Sequence, residues 1–274
     1  MKTFGKVVFF VFFSFYLLFT IIEIFQEEEI DYIEEIDYVD ESPEEYSTSD
    51  TIGVFHSRNW FDQHFVNEYK MSYELSAENA QTSSRFRNQF EPPITTYSVY
   101  ENYWGSVYQF LVNHDSTLLQ SINDSLFQVG KNQYLNRTEF ADMLVAFVQD
   151  IPYSYIIQNE CTSANEDSPC LGQQEFGILS PIEFLYSLYG DCDTRTTLLY
   201  SLLNHFGYKT VVFISKEYAH AMLGVELPAT GDYIRHKGRK FYFWETTNTG
   251  WNVGDLPNEM DNKNYWKIAL DYEY

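Results

Sequence analysis

Positive charge is what this sequence has least of: 17 Lys and Arg stand against 40 Asp and Glu in 274 residues, a formal net charge of −23. A chain so acidic repels a nucleic-acid backbone instead of neutralising it with release of counterions, so no nucleic-acid partner is expected. Metal and nucleotide signatures are missing as well. There is no CxxC, HExxH or EF-hand loop, His56 and His64 have no further ligating company, and no glycine-rich phosphate loop appears. No cofactor or metal is implied. Cysteine is scarce too, at three, and an odd number cannot pair completely within one chain.

What the chain does have is an ordinary hydrophobic content of 45% and an unusually high aromatic content of 19%. The first excludes disorder throughout. The aromatics are spread along the chain, as packing residues are, and form no base-stacking platform. The amino end sets the expected compartment. Lys2 and Lys6 precede the uncharged run Val7 to Ile22, VVFFVFFSFYLLFTII, which is near the length needed to span a bilayer once its flanks are counted. No A-x-A-like cleavage site follows, so residues 1–26 read as an uncleaved signal anchor. Lysines before it and acids after it put the amino end in the cytoplasm and the main domain outside, in a periplasm or at a cell surface. Residues 27–50, with EEIDY twice, read as an extended acidic linker.

Residues 51–96 show no sustained period. From Tyr97 the pattern sharpens. Val107, Phe110, Leu111, Leu118, Leu119, Ile122 and Leu126 predict two helices broken near His114 and Asp115. Asn136 with Glu139 predicts a capped helix bearing the stripe Phe140, Met143, Leu144, Phe147 and Val148. Ser180, Pro181 and Glu183 start a short helix that Gly190 is expected to stop. The next begins at Cys192, buries Leu198, Leu199, Leu202, Leu203 and Phe206, and ends at Gly207. Strands are expected at 210–215, 220–227, 232–236 and 239–246, the last two joined as a hairpin at Lys237 and Gly238, with another in 265–272. Helices followed by antiparallel-type strands argue for an α+β fold. Asn123 and Asn136 begin glycosylation-type triplets, which matter only in a secretory eukaryotic chain.

Chemistry centres on GDCDTRTTLLYSLLNHFGY, Gly190 to Tyr208. Cys161 and Cys170 flank a polar, proline-containing loop, and a disulfide between them would leave Cys192 alone. Cys192 then has three possible roles: nucleophile, disulfide partner or small buried hydrophobe. Asp191 as N-cap puts the cysteine in the first turn, where free N–H groups and the helix dipole favour a thiolate, although Asp191 and Asp193 oppose one by charge. His220 heads the strand HAMLGVEL, and Glu245 ends the strand FYFWET. Cysteine, histidine and carboxylate in that order have the makings of an activated nucleophile: the imidazole takes the thiol proton, and the acid fixes its tautomer.

These segments, GDCDTRTTLLYSLLNHFGY, YAHAMLGVELP and FYFWETTNTGWNVGDLP, resemble the transglutaminase-like superfamily, in particular its bacterial and archaeal members of papain-like fold. The resemblance spans about Val148 to Pro257, includes VQDIPYSY, and fades before Tyr97. It implies a transglutaminase-like domain over 97–274, with a central helix carrying the cysteine on an antiparallel sheet. It further implies Cys192 as nucleophile, His220 as base and acid, and Glu245 in the place where the family usually has Asp. The oxyanion would meet the Cys192 N–H, with Tyr155 or Gln158 as candidate side-chain donors. The expected partner is a peptide or protein substrate of the cell envelope. The alternative is a non-catalytic binding or scaffold module of the same fold.

Overall fold

A computed structural model of the chain describes residues 53–162 and 169–272. The expected anchor and acidic linker lie outside the described residues, and no helix among the described residues is long and apolar enough to cross a membrane. Among the described residues the architecture is α+β, with six α-helices, two antiparallel sheets and one short parallel pair.

Residues 51–96, which carry no obvious period, begin with a hairpin of β1 (Gly53–Phe61) and β2 (Glu68–Ser76) and continue into helix α1 (Ala77–Asn88). Strand β2 does alternate: Tyr69, Met71, Tyr73 and Leu75 are buried, with polar residues between them. Strand β1 hides its period because its inward positions include His56 and Arg58. His56 Nε2 lies 3.0 Å from the Tyr186 carbonyl, and Arg58 Nη2 donates to Asp150 at 2.7 Å. Trp60, fully buried, donates from Nε1 to the Met143 carbonyl and so pins the hairpin to the helical layer.

Helices α2 (Tyr100–Asp115) and α3 (Gln120–Asn132) break where expected. The buried Asp115 at the break accepts from Ser83 Oγ and from the Ile182 N–H, so it also caps a helix distant in sequence. Helix α4 (Arg137–Gln149) opens on the Asn136/Glu139 capping box and is buried from Phe140 to Gln149 except at Asp142. Asn123 is buried within α3 and Asn136 is engaged as the cap of α4, so neither triplet presents a free asparagine. Strands β3 (Tyr155–Ile156) and β4 (Cys170–Leu171) form a short parallel pair.

Helix α5 (Pro181–Ser187) has the Ser180/Glu183 capping box, but its stop corrects the expectation. Leu188, at φ 57°, makes the left-handed cap. Gly190 serves packing instead, since a Cβ there would stand 2.6 Å from the Phe184 ring.

Helix α6 (Cys192–His205) is central, buried around most of its girth, and ends as expected before Gly207 at φ 74°. It lies on strands β5 (Thr210–Ser215) and β6 (His220–Val225), with α4 and α5 against it. Strands β7 (Tyr233–His236), β8 (Arg239–Trp244) and β9 (Lys267–Leu270) complete an antiparallel sheet of order β7-β8-β6-β5-β9. The β7–β8 turn has Lys237 and Gly238 both at positive φ, the geometry of a tight hairpin. Period two divides β5 between two cores. Val212 and Ile214 join Val107, Leu111 and Tyr200 on the helical side, while Val211 and Phe213 join Met222, Phe243 and Trp266 on the other. At Gly105 helix α2 comes so close to β9 that a Cβ would fall 2.0 Å from the Ala269 carbonyl oxygen.

Candidate active site

The first turn of α6 faces the start of β6. Asp191 caps the helix by accepting from the Thr194 N–H, so Cys192 is the first helical residue and its own N–H has no intrahelical acceptor. Cys192 is partly buried and unpaired, because Cys161 and Cys170 form a disulfide. The Ala221 N–H, next to His220, favours the Cys192 thiolate, whereas the charge of Glu245 opposes it. Among the described residues no hydrogen bond joins the thiol to the His220 ring.

Histidine and glutamate do meet. His220 Nε2 is 2.9 Å from Glu245 Oε2, with both side chains largely buried. The other Glu245 oxygen, Oε1, accepts the Thr246 N–H (2.8 Å), the Thr247 N–H (3.0 Å) and the Thr247 hydroxyl (2.8 Å). Burial opposes ionisation of this carboxyl, but the bond and charge of His220 and the bonds from Thr247 prevail and hold its pKa below 4.5. With Nε2 engaged by the acid, Nδ1 is the nitrogen left for a substrate or thiol. Ala219, immediately before His220, is at φ 47°, a left-handed conformation costly for a residue with a Cβ.

Two aspartates flank the sulfur. Burial pushes both carboxyls up, and the neighbouring Asp191 adds to this at Asp193, which is held well above its ordinary value. The thiol is raised well above its ordinary value, first by burial and then by Asp193 and Asp191, while the Ala221 N–H opposes this.

A cleft of about 630 Å³ opens at His220, walled by Gln149 to Tyr153, Tyr155 and Thr247 to Thr249. Tyr155 stands in that wall, half exposed. Gln158 does not; it is exposed and donates to Glu175. Burial strongly raises the hydroxyl of Tyr153, and negative charge at Cys192, Asp191 and Asp193 adds to this. The Tyr153 ring packs edge-on to Tyr155, with ring centroids 5.4 Å apart. The disulfide sits just behind: Cys170 pairs with Tyr155 in the parallel ladder.

Two supports escape sequence reading. Arg195, fully buried one turn after Cys192, donates to the carbonyls of Gly190 (2.9 Å), Val148 (2.9 Å) and Ile151 (2.5 Å). It thereby ties the loop before the cysteine to the wall of the cleft, and burial lowers its pKa to about 10. Gln149 donates to the Glu245 carbonyl at 2.5 Å and accepts from Gln63, whose own Oε1 receives the Gly250 N–H at 3.0 Å. The amino-terminal hairpin thus braces the loop that follows Glu245. Comparison with protein-family models, curated proteins and solved structures finds no match. The site's own geometry carries the functional argument. No cluster of three or more His, Cys, Asp or Glu among the described residues is arranged to hold a metal ion.

Proposed function

We propose that the protein is a membrane-anchored, extracytoplasmic thiol enzyme of the transglutaminase-like kind, with a papain-like core formed by α6 on the five-stranded sheet. It transfers an acyl group from an amide of an envelope peptide or protein. The observation that carries this reading is the 2.9 Å His220–Glu245 bond at a cleft beside the helix start that bears the chain's unpaired cysteine. In the reaction the thiol proton passes to His220 Nδ1 while Nε2–H stays on Glu245. The sulfur attacks the carbonyl carbon, and the oxyanion meets the Cys192 N–H. The C–N bond breaks as the imidazolium protonates the departing amine, leaving a thioester that water or a second amine resolves.

A second reading, a non-catalytic binding or scaffold module, is favoured by the raised thiol and by the missing sulfur–ring hydrogen bond. Alkylation by iodoacetamide at neutral pH separates the two. The enzyme reading expects Cys192 to react much faster than a model thiol and to be slowed about 10²-fold or more by His220→Ala. Reaction at the model-thiol rate or below, indifferent to His220→Ala, supports the scaffold.

A further inference from the structure

Cationic side chains, scarce in this chain, gather at one place. Residues 235–240, RHKGRK, hold four of the 17 Lys and Arg, and all four line a groove of about 600 Å³ at the β7–β8 hairpin. Two of them are matched by acids. Arg239 Nη1 bonds both Glu226 oxygens at 2.8 and 2.9 Å, and Lys237 Nζ lies 2.7 Å from Asp271. Glu226 also faces Lys209, at 4.0 Å.

Arg235 and Lys240 differ. They are register partners in the β7–β8 ladder, so both side chains leave the same face. Neither is in an ion pair among the described residues. Both stand against tyrosine instead: Lys240 Nζ is 4.5 Å from the Tyr233 centroid and 5.9 Å from that of Tyr242, and Arg235 Cζ is 5.7 Å from that of Tyr233. A third cation near the Tyr233 ring, Lys263, is neutralised by Asp232 at 2.8 Å. Like charges directly opposite in a ladder destabilise it. Among the described residues, the groove keeps two positive charges side by side with no acid paired to either.

We propose that this groove binds a dianionic phosphate group, carried by a soluble ligand or presented by a lipid headgroup, with Arg235 and Lys240 as the clamp. Arginine supplies a planar fork for two oxygens and lysine a compact charge for the third. Leu227, Pro228 and Ala229, which line the same groove, give the rest of the ligand an apolar wall. The groove is separate from the candidate active site: Glu226 follows the end of β6 and His220 begins it, about 20 Å apart at about 3.4 Å per residue.

The test uses the full chain at low ionic strength, titrated with inorganic phosphate while the amide resonances of residues 233–242 are followed. Saturable shifts confined to the hairpin are expected, weakened tenfold or more by Lys240→Gln or Arg235→Gln. Relief of the like-charge pair should leave the ligand-free unfolding midpoint of each variant at or above that of the unsubstituted protein, while phosphate no longer raises it. Vesicles of phosphatidylcholine with and without phosphatidic acid locate the source. Extra sedimentation with phosphatidic acid that both variants lose assigns a lipid headgroup, and phosphate binding without it assigns a soluble ligand. Shifts that map elsewhere, phosphate binding unchanged in both variants, or neither phosphate nor phosphatidic-acid binding overturns the proposal.

Discussion

Replacing Glu245 by Gln keeps the shape of the side chain, and the hydrogen bonds around it dictate which way the new amide must face. Oε1 accepts two backbone N–H groups and a hydroxyl. Turning the NH₂ toward them would leave two N–H donors unpaired, one of them fully buried, at roughly 1–3 kcal/mol each. A penalty of at least about 2 kcal/mol is a preference of about 30-fold for the opposite orientation. The amide NH₂ must then point at His220 Nε2, which can only accept. The ring proton moves to Nδ1, the nitrogen that has to take the thiol proton. Long-range ¹H–¹⁵N spectra of the neutral imidazole should show Nε2 protonated in the unsubstituted protein and Nδ1 protonated in Glu245→Gln. Acyl transfer should fall about 10²- to 10⁴-fold, while the exchange of a charged for a neutral acceptor costs only about 1 kcal/mol of stability. The depressed carboxyl adds a pH signature. Its contribution to stability is present above 4.5, is lost as pH falls from there through the lower folded value, and should be absent from the variant. An Nε2 proton that stays in place in Glu245→Gln refutes the reasoning.

Asp142 has the opposite sign: burial raises its carboxyl to about 6, so stability falls as pH rises from 3.8 through 6. Asp142→Asn keeps an acceptor for the Gln63 N–H and should gain about 1–2 kcal/mol in urea unfolding at pH 8, after allowance for partial exposure; an equal gain below pH 3.8 would point to another cause. Arg87 is 1% exposed and grips Glu183 through two bonds, so Arg87→Met, which strands that carboxylate, should cost about 3–5 kcal/mol. Adding Glu183→Gln should recover part of the loss, and a double-mutant cycle without coupling would contradict the pairing. Gly105→Ala, with no room before the Ala269 carbonyl, should cost about 1–3 kcal/mol and lower the melting temperature, and an unchanged melting temperature would mean that α2 and β9 separate freely.

The elements legible from sequence are those in which a period and a cap coincide. Helices α4 and α5 announce themselves by capping boxes, and the Lys237–Gly238 turn by the freedom glycine allows. Strand β1 fails that test because its inward positions carry His56 and Arg58, whose partners lie about 90 to 130 residues away. Helix α6 misleads in the same way. Polar residues in a helical pattern suggest a solvated face, yet Thr194, Arg195, Thr196 and Thr197 are fully buried, because this helix has little outward face: Arg195, Thr196 and Thr197 donate to carbonyls of neighbouring turns and loops, and the Thr194 hydroxyl accepts the Leu179 N–H. Within the candidate site, chemical type singles out Cys192, His220 and Glu245. Nothing in the spelling of Gln63 or Gln149 tells that they hold the glutamate's loop, since that role exists only once the hairpin has packed on α4.

That brace has a consequence for cutting the chain. A fragment starting at Tyr97 would retain every residue of the resemblance and all three chemical groups. It would lose Trp60 from beneath α4, Arg58 from Asp150, and Gln63 from between Gln149 and Gly250. The stretch that is easiest to recognise is therefore smaller than the stretch that must be inherited whole, and a graft of the former alone should carry the reactive groups without the stiffness that aims them.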